Sequence, residues 1–247
     1  MRKFFLNYAR RIVRKNAIMN LKKEGIYDDI KSYLSKTSST GISWSDFWVL
    51  FDFVRKNKFQ RILECGPGAS TLVISIALER NRKEGFPGSI IAMEEVEEYL
   101  EMSIDLLPKR LHEYVEYIHS PRMDDCYEIF RGVRYRDIPK KDFDFVFIDG
   151  PEHHSSNDGQ FCFDFDFLHV LMNNKTKLQG IIDYRLSTGF VLQTLLGNKI
   201  VKYSTLKEIG FINPCYKTDL RNLNLESLNY NFDKQFFAFQ NNKIKIY

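Results

Sequence analysis

The segment Arg61-Ile62-Leu63-Glu64-Cys65-Gly66-Pro67-Gly68-Ala69-Ser70-Thr71 constrains the fold more than any other stretch of this chain. An apolar run ends in a carboxylate and enters a turn with two closely spaced glycines. A long apolar pattern from Leu72 through Leu78 follows. Strand, tight turn and helix are the expected elements, with the strand near 60–65 and the helix near 69–82. Glycine lets the backbone turn sharply and lets another group approach where a Cβ would collide. The unpaired N–H groups of the first helical turn then face whatever sits over the loop.

The same spacing excludes two ligand loops. A dinucleotide fingerprint needs a glycine where Thr71 stands, and a Walker loop needs a lysine that is missing. The remaining pattern, Glu-x-Gly-x-Gly-x-Ser, resembles the first motif of class I S-adenosylmethionine-dependent methyltransferases, with Ser70 in place of the third glycine. A turn without any ligand is the bland alternative.

Downstream, short apolar runs alternate with helical periodicity. Ser89–Met93 is a buried strand ending at Glu94 and Glu95, and a helix through Tyr99, Leu100, Ile104 and Leu107 breaks at Pro108. Val115–Ile118 is a third strand, and Phe143–Ile148 a fourth that ends at Asp149-Gly150-Pro151. Phe161–Met172 is expected to be helical, Gly180–Asp183 a fifth strand and Phe190–Leu196 a helix. Strand-like pieces at 199–203, 235–240 and 243–247 suggest an antiparallel edge pair. This alternation predicts an α/β chain with a doubly wound, mostly parallel sheet.

In such a sheet, ligands lie beyond the carboxyl ends of the strands. Glu64, Glu94, Asp149 and Asp183 all fall at those ends, and uncompensated charge there is costly. Glu94 suits the two hydroxyls of a ribose, with Glu95 beside it; an acid complementing a helix dipole is the bland reading. His153 and His154 follow the fourth strand and titrate near working pH, so either could take a proton from a substrate. His154 is slightly preferred, without a physical reason. Arg185 either binds an anionic substrate or pairs with a rim acid.

Two further segments extend the resemblance. Phe145–Pro151, with its Asp-Gly-Pro turn, is similar to the fourth motif of small-molecule O-methyltransferases. Gln179–Arg185 resembles that branch's fifth-strand segment. The Pro-Pro-aromatic motif of base-modifying enzymes is absent, so nucleic acid is disfavoured as a partner. The resemblance implies a Rossmann-like methyltransferase fold with a seven-stranded sheet, carrying S-adenosylmethionine over the first two strands. It implies cofactor contacts from Glu64, Gly66, Pro67, Gly68, Ser70, Thr71, Glu94, Glu95 and Asp149. Glu64 would meet the amino group, directly or through water, and Gly66 and Gly68 the methionine part. A small polar acceptor, such as a sugar or secondary-metabolite hydroxyl, would lie among Asp149, His153, His154 and Asp183. In metal-dependent members, acids from these strand ends hold Mg2+. Here Asp149 and Asp183 match and Tyr184 replaces the next acid, so a metal is not favoured. A non-catalytic binding domain of the same fold is the rival that Ser70 and Tyr184 keep open.

The N-terminus is basic, with Arg2, Lys3, Arg10, Arg11, Arg14, Lys15, Lys22 and Lys23 and no acid before Glu24. Phe5, Tyr8, Ala9, Ile12 and Met19 share one helical face. The expectation is a helix that packs this face on the domain, with peripheral docking on membrane or RNA as the alternative. A polar run at 35–40 suggests division into a helical extension (1–40) and a catalytic domain (41–247). Ser43 with Asp46 marks a helix cap before Phe47, Trp48, Leu50, Phe51 and Val54. The tryptophans read as core or as a pocket wall. Four scattered cysteines form no metal or disulfide pattern, so a reducing cytoplasm is the default compartment. Oligomeric state is left open.

Overall fold

A computed structural model describes residues 2–37 and 43–221, with side chains described from Leu6 onward. Its helices are α1 (Arg2–Lys23), α2 (Tyr27–Leu34), α3 (Trp44–Asn57), α4 (Ala69–Lys83), α5 (Glu97–Leu106), α6 (Asp166–Asn173) and α7 (Leu186–Leu196). The strands are β1 (Arg61–Cys65), β2 (Ser89–Glu94), β3 (Val115–His119), β4 (Arg122–Tyr127), β5 (Phe130–Tyr135), β6 (Phe145–Ile148), β7 (Phe163–Asp164), β8 (Leu178–Asp183), β9 (Val201–Ser204) and β10 (Ile209–Cys215).

Seven strands form the main sheet in the order β3-β2-β1-β6-β8-β10-β9. All are parallel except β10, which runs antiparallel to both its neighbours. Alternate residues of each strand feed opposite faces. Ile62, Phe145, Phe147 and Ile181 pack with α2, α3 and α4. Leu63, Cys65, Val146, Ile148 and Ile182 pack with α6 and α7. The sheet is therefore doubly wound, as the alternation of elements predicts. Connections run outward from β1 to β2 and β3, then from β6 the other way, so strand direction of travel reverses between β1 and β6.

Local chemistry explains the helix starts. Ser43 opens α3, its backbone N–H donating to Asp46 Oδ2 at 2.9 Å. Both tryptophans are half-buried and pack against the core: Trp44 stacks on Tyr27 at 4.7 Å, and Trp48 lies against Phe51.

One sequence expectation needs correction, and two elements complete the comparison. Phe161–Met172 is not one helix: β7 precedes α6. The segment alternates Phe163, Asp164, Phe165, Asp166, Phe167, a period-two pattern that pairs β7 with β5. The hairpin β4–β5 and its three-stranded sheet carry no apolar run strong enough to foresee. The antiparallel pair is β9–β10; the expected strands at 235–240 and 243–247 lie outside the described residues.

The N-terminal helix also presents a different face. Ala17 and Leu21 are buried against the body, while Tyr8, Ile12 and Met19 face out. Arg10 turns inward, donating to the Thr205 carbonyl and pairing with Glu208 at 2.7 Å. Leu21, Ile26, Ile30 and Tyr33 belong to the same core as Ile62 of β1, so residues before Ser35 share the sheet's core.

Candidate functional site

The ends of β1 and β6 meet in backbone contact. Asp149 N–H donates to the Cys65 carbonyl at 2.9 Å, and Gly66 N–H to the Met93 carbonyl at 3.0 Å. Gly66 sits at φ +90°, and a Cβ there would lie 3.0 Å from the Asp149 carbonyl oxygen. A Cβ on Gly150 would lie 2.5 Å from the Tyr135 hydroxyl oxygen. Both glycines are thus fixed by the packing of one loop against the other.

Above this junction open two cavities. The first, about 450 Å3, lies over β1 and β2 and is lined by Gly66, Glu94, Glu95, Tyr99, Arg122 and Tyr135, among others. The second, about 470 Å3, lies beyond β6 and β8 and is lined by His153, Phe161, Asp183, Tyr184, Leu186 and Ser187. Asp149 and Arg185 line both. The junction is the point where the order of connections reverses, where an open α/β sheet leaves a crevice for ligands.

Glu94 Oε1 accepts from the N–H groups of Glu95 and Val96, both at 2.9 Å. Burial nevertheless raises its pKa, the two N–H groups offsetting part of the shift. Among the described residues nothing hydrogen-bonds its Oε2. Glu95 lines the same cavity, but its carboxylate is engaged: it accepts from Glu152 N–H at 2.7 Å and lies 3.4 Å from Arg122.

Glu64 lines neither cavity. It lies on the α4 side of β1, sealed beneath the loop with no exposed surface. Thr71 Oγ1 donates to Glu64 Oε2 at 2.7 Å and accepts from Gly68 N–H at 2.9 Å, a relay that fixes the start of α4. Glu64 Oε1 and Ser70 Oγ are both buried, with no partner beyond the Ser70 hydroxyl's own approach to the carboxyl. Burial pushes the Glu64 pKa up to about 8, with the Ser70 and Thr71 hydroxyls offsetting part of the shift and the Asp149 charge adding to it. In this arrangement the contacts of Glu64 are with the loop itself, through Thr71. Above the turn there is room: a Cβ on Gly68 would meet nothing within 4 Å.

Asp149 and Asp183 lie side by side at the second cavity, close enough for one carboxyl to hydrogen-bond the other, and both are held above the usual carboxylate range, first by burial and then by nearby negative charge. For Asp149, the Arg185 guanidinium opposes the shift. A third acid, Asp46 of α3, adds its charge to both. Its own pKa is raised to about 6 by burial. The sequence marks Asp46 only as a helix cap.

Arg185 is engaged elsewhere than at an open anion site. It donates to the Asp149 carbonyl at 2.6 Å and the Pro151 carbonyl at 2.7 Å, and pairs with the fully buried Asp164. Of the two readings of Arg185, pairing with an acid matches the geometry, the acid being Asp164 of β7 rather than Glu64, Glu94, Asp149 or Asp183 of the main sheet. Thr188 donates a further bond to Asp164. The alternating phenylalanines around Asp164 were the sequence signal for it.

The two histidines part ways. His153 lines the second cavity with its ring 4.5 Å from Phe161. Burial and then the Arg185 charge lower its pKa, leaving it neutral near pH 7. His154 is outside that cavity, its Nδ1 at 2.7 Å from Glu152 Oε1. Of the two, the structure brings His153 to the cavity and His154 to Glu152.

Among the described residues no third Cys, His, Asp or Glu joins Asp149 and Asp183, and Tyr184 is turned out, 62% exposed. A magnesium ion there would need water and substrate oxygens to complete its shell. The described residues do bring donor atoms of Glu152, His153 and His154 within 4.8 Å of one another. The His154–Glu152 hydrogen bond already accounts for that grouping.

No protein-family model and no curated protein matches the chain. Solved structures do resemble it. A methyltransferase from Podospora anserina bound to SAH aligns at 13% identity, covering 74% of this chain and 71% of that one, with a TM-score of 0.48. A putative protein-L-isoaspartate O-methyltransferase from Plasmodium falciparum, in complex with S-adenosyl-L-homocysteine, aligns at 14% identity over 69% and 83%, with a TM-score of 0.39. A precorrin-6y C5,15-methyltransferase from Geobacter metallireducens aligns at 18% identity over 60% and 65%, with a TM-score of 0.37. The strand order and the single antiparallel strand decide the architecture by themselves. The fold is Rossmann-like. Similarities this remote carry no activity across.

Glu64 gives a pH test of the loop. Its folded pKa of about 8 exceeds the ordinary 4.5, so the folded chain keeps a proton that the unfolded chain releases between those values. Its stabilising contribution is full below pH 4.5 and falls as pH rises toward 8. Glu64→Gln keeps the neutral form throughout. In thermal unfolding its midpoint should match the parent near pH 4.5 and exceed it by about 5 °C or more at pH 8. A constant difference across that range would contradict the assignment.

Proposed function

We propose that this chain is an S-adenosylmethionine-dependent methyltransferase that methylates a hydroxyl of a small polar acceptor. The observation that carries the reading is the pair of cavities joined at Asp149, a donor chamber and an acceptor chamber meeting at the switch point. The glycine loop with its Thr71 relay and the free oxygen of Glu94 fit an adenosyl ligand in the first chamber. S-adenosylmethionine, when bound, supplies a methyl group on a sulfonium that leaves readily without acid help.

Each residue then has a defined task. Glu94 Oε2 accepts from ribose hydroxyls while its Oε1 is steadied by two backbone N–H groups. Gly66, Pro67 and Gly68 form the bed of the methionine part, Ser70 and Thr71 hold that loop from beneath, and Asp149 stands where the chambers meet. Alignment of the acceptor oxygen supplies most of the rate, so the acceptor chamber is chiefly a clamp. Its rim of Phe161, Tyr184 and Leu186 packs on an apolar ring face. Its floor of Asp149 and Asp183 accepts hydrogen bonds from hydroxyls. His153, neutral and inside the chamber, takes the proton released by the attacking hydroxyl. Arg185 braces the floor through Asp164 and the two carbonyls and does not bind the acceptor.

Two variants test the division of labour. Glu94→Ala should weaken S-adenosylhomocysteine binding by at least about tenfold, the worth of a hydrogen bond to a charged group. Unchanged affinity would remove the ribose assignment. With label transfer from methyl-labelled S-adenosylmethionine to hydroxylated acceptors as the assay, His153→Ala should lower kcat by about a hundredfold with cofactor affinity intact. His154→Ala should leave kcat near the parent value. The opposite pattern would move the base to His154.

A further inference from the structure

The outward face of α1 is an unusual surface for a helix that is anchored on its other side. The inner stripe, Val13, Ala17 and Leu21 with Arg10, holds it to the body. The outer stripe then carries Tyr8 (60% exposed), Ile12 (44%) and Met19 (57%) at helical spacing. Exposed Arg11, Arg14, Lys15, Lys22 and Lys23 surround them. Between these side chains lies a shallow groove of about 360 Å3, lined by Arg11, Arg14, Lys15, Ile18, Met19 and Lys22. The stripe from Tyr8 to Lys22 is about 21 Å long at 1.5 Å per residue.

Charge is as polarised as hydrophobicity. The helix holds eight of the chain's 36 basic residues and none of its 32 acids. The remainder of the chain is therefore acidic by four charges, and the whole net charge of +4 arises from α1. A body of one sign with a helix of the other orients in an anionic field, helix first. Isolated exposed apolar residues are ordinary, but three on one face ringed by long basic stems form the pattern of a helix lying in a membrane interface. The stems of Arg and Lys extend along the apolar side chains and bring their charged ends to the headgroup level. Among the described residues no helix is long and apolar enough to cross a bilayer, so contact at this face is peripheral.

We infer that the outer face of α1 is a docking surface for an anionic phospholipid membrane, with Tyr8, Ile12 and Met19 entering the headgroup boundary and Arg11, Arg14, Lys15 and Lys22 holding acidic headgroups. RNA would use the same cations but gives Ile12 and Met19 no apolar medium to enter, which favours lipid. The inference does not rest on the methyltransferase reading. The helix is tied to the body through Glu208, whose backbone carbonyl also accepts from Tyr184 N–H at 3.2 Å, so docking sets the second cavity at a fixed orientation to the bilayer.

The test is co-sedimentation of the full chain with vesicles of phosphatidylcholine, alone or with about a third phosphatidylserine, as basic segments respond to anionic lipid. Two double variants accompany it: Ile12→Asp with Met19→Asp, and Arg11→Glu with Lys15→Glu. All four positions are exposed, so thermal unfolding should stay at the parent midpoint. The parent chain should sediment with the phosphatidylserine vesicles, weakly with neutral ones, and less at high salt. Each double variant should lower the partition coefficient at least about tenfold. Absence of parent binding, equal binding to neutral vesicles, or undiminished binding by both folded variants would overturn the inference. So would retention on single-stranded RNA without retention on vesicles.

Discussion

The contact between the ends of β1 and β6 is the constraint on which the site depends. Two glycines, Gly66 and Gly150, let the loops after these strands approach until the backbones touch; a Cβ on Gly66 would press on the Asp149 carbonyl, and one on Gly150 would strike the Tyr135 hydroxyl and crowd Gly66. Because the connections diverge at this point, the helices α4 and α5 cover one side of the crevice and the loops after β6 and β8 the other. Two chambers with a shared wall at Asp149 follow from that geometry. Larger residues at either glycine would separate the strand ends and merge or close the chambers.

The second theme is acid held in a dry setting. Glu64, Asp46, Asp149, Asp164 and Asp183 gather around one end of the sheet, and burial raises all of their pKa values. Arg185 is the cation that faces Asp149, Asp164 and Asp183, pairing directly with Asp164 and turning the strand-end carbonyls toward itself. Retained protons offset the rest of the charge. Folding stability is thereby lowered at neutral and higher pH in return for a crevice whose floor offers several hydrogen-bonding oxygens.

Much of this was legible in the chain. The strand–turn–helix at 61–83, the strand ending at Glu94 and the strand ending at Asp149 follow from apolar runs punctuated by glycine and proline. Glu94 and Asp149 emerged because a strand end is the place where ligands gather. The role of Glu64 did not, since strand parity turns its side chain away from the cavity and only the three-dimensional loop reveals the Thr71 relay. Asp164 and Phe161 were hidden by reading a period-two segment as helix. Asp46 carried a sufficient local explanation as a cap, which concealed its approach to Asp183 from a distant part of the sequence. On α1 the periodicity was clear but the choice of face was not: three large apolar residues outbid Ala17 and Leu21 in any sequence count, yet small Ala17 fits the close approach to the body.

The central claim is that the first chamber takes an adenosyl ligand. Calorimetric titration of the full chain with S-adenosylmethionine and S-adenosylhomocysteine, with NAD as control, tests it most directly. The account predicts saturable binding of both adenosyl ligands at micromolar concentration and none of NAD. Binding of NAD in their place, or silence from all three, would contradict it.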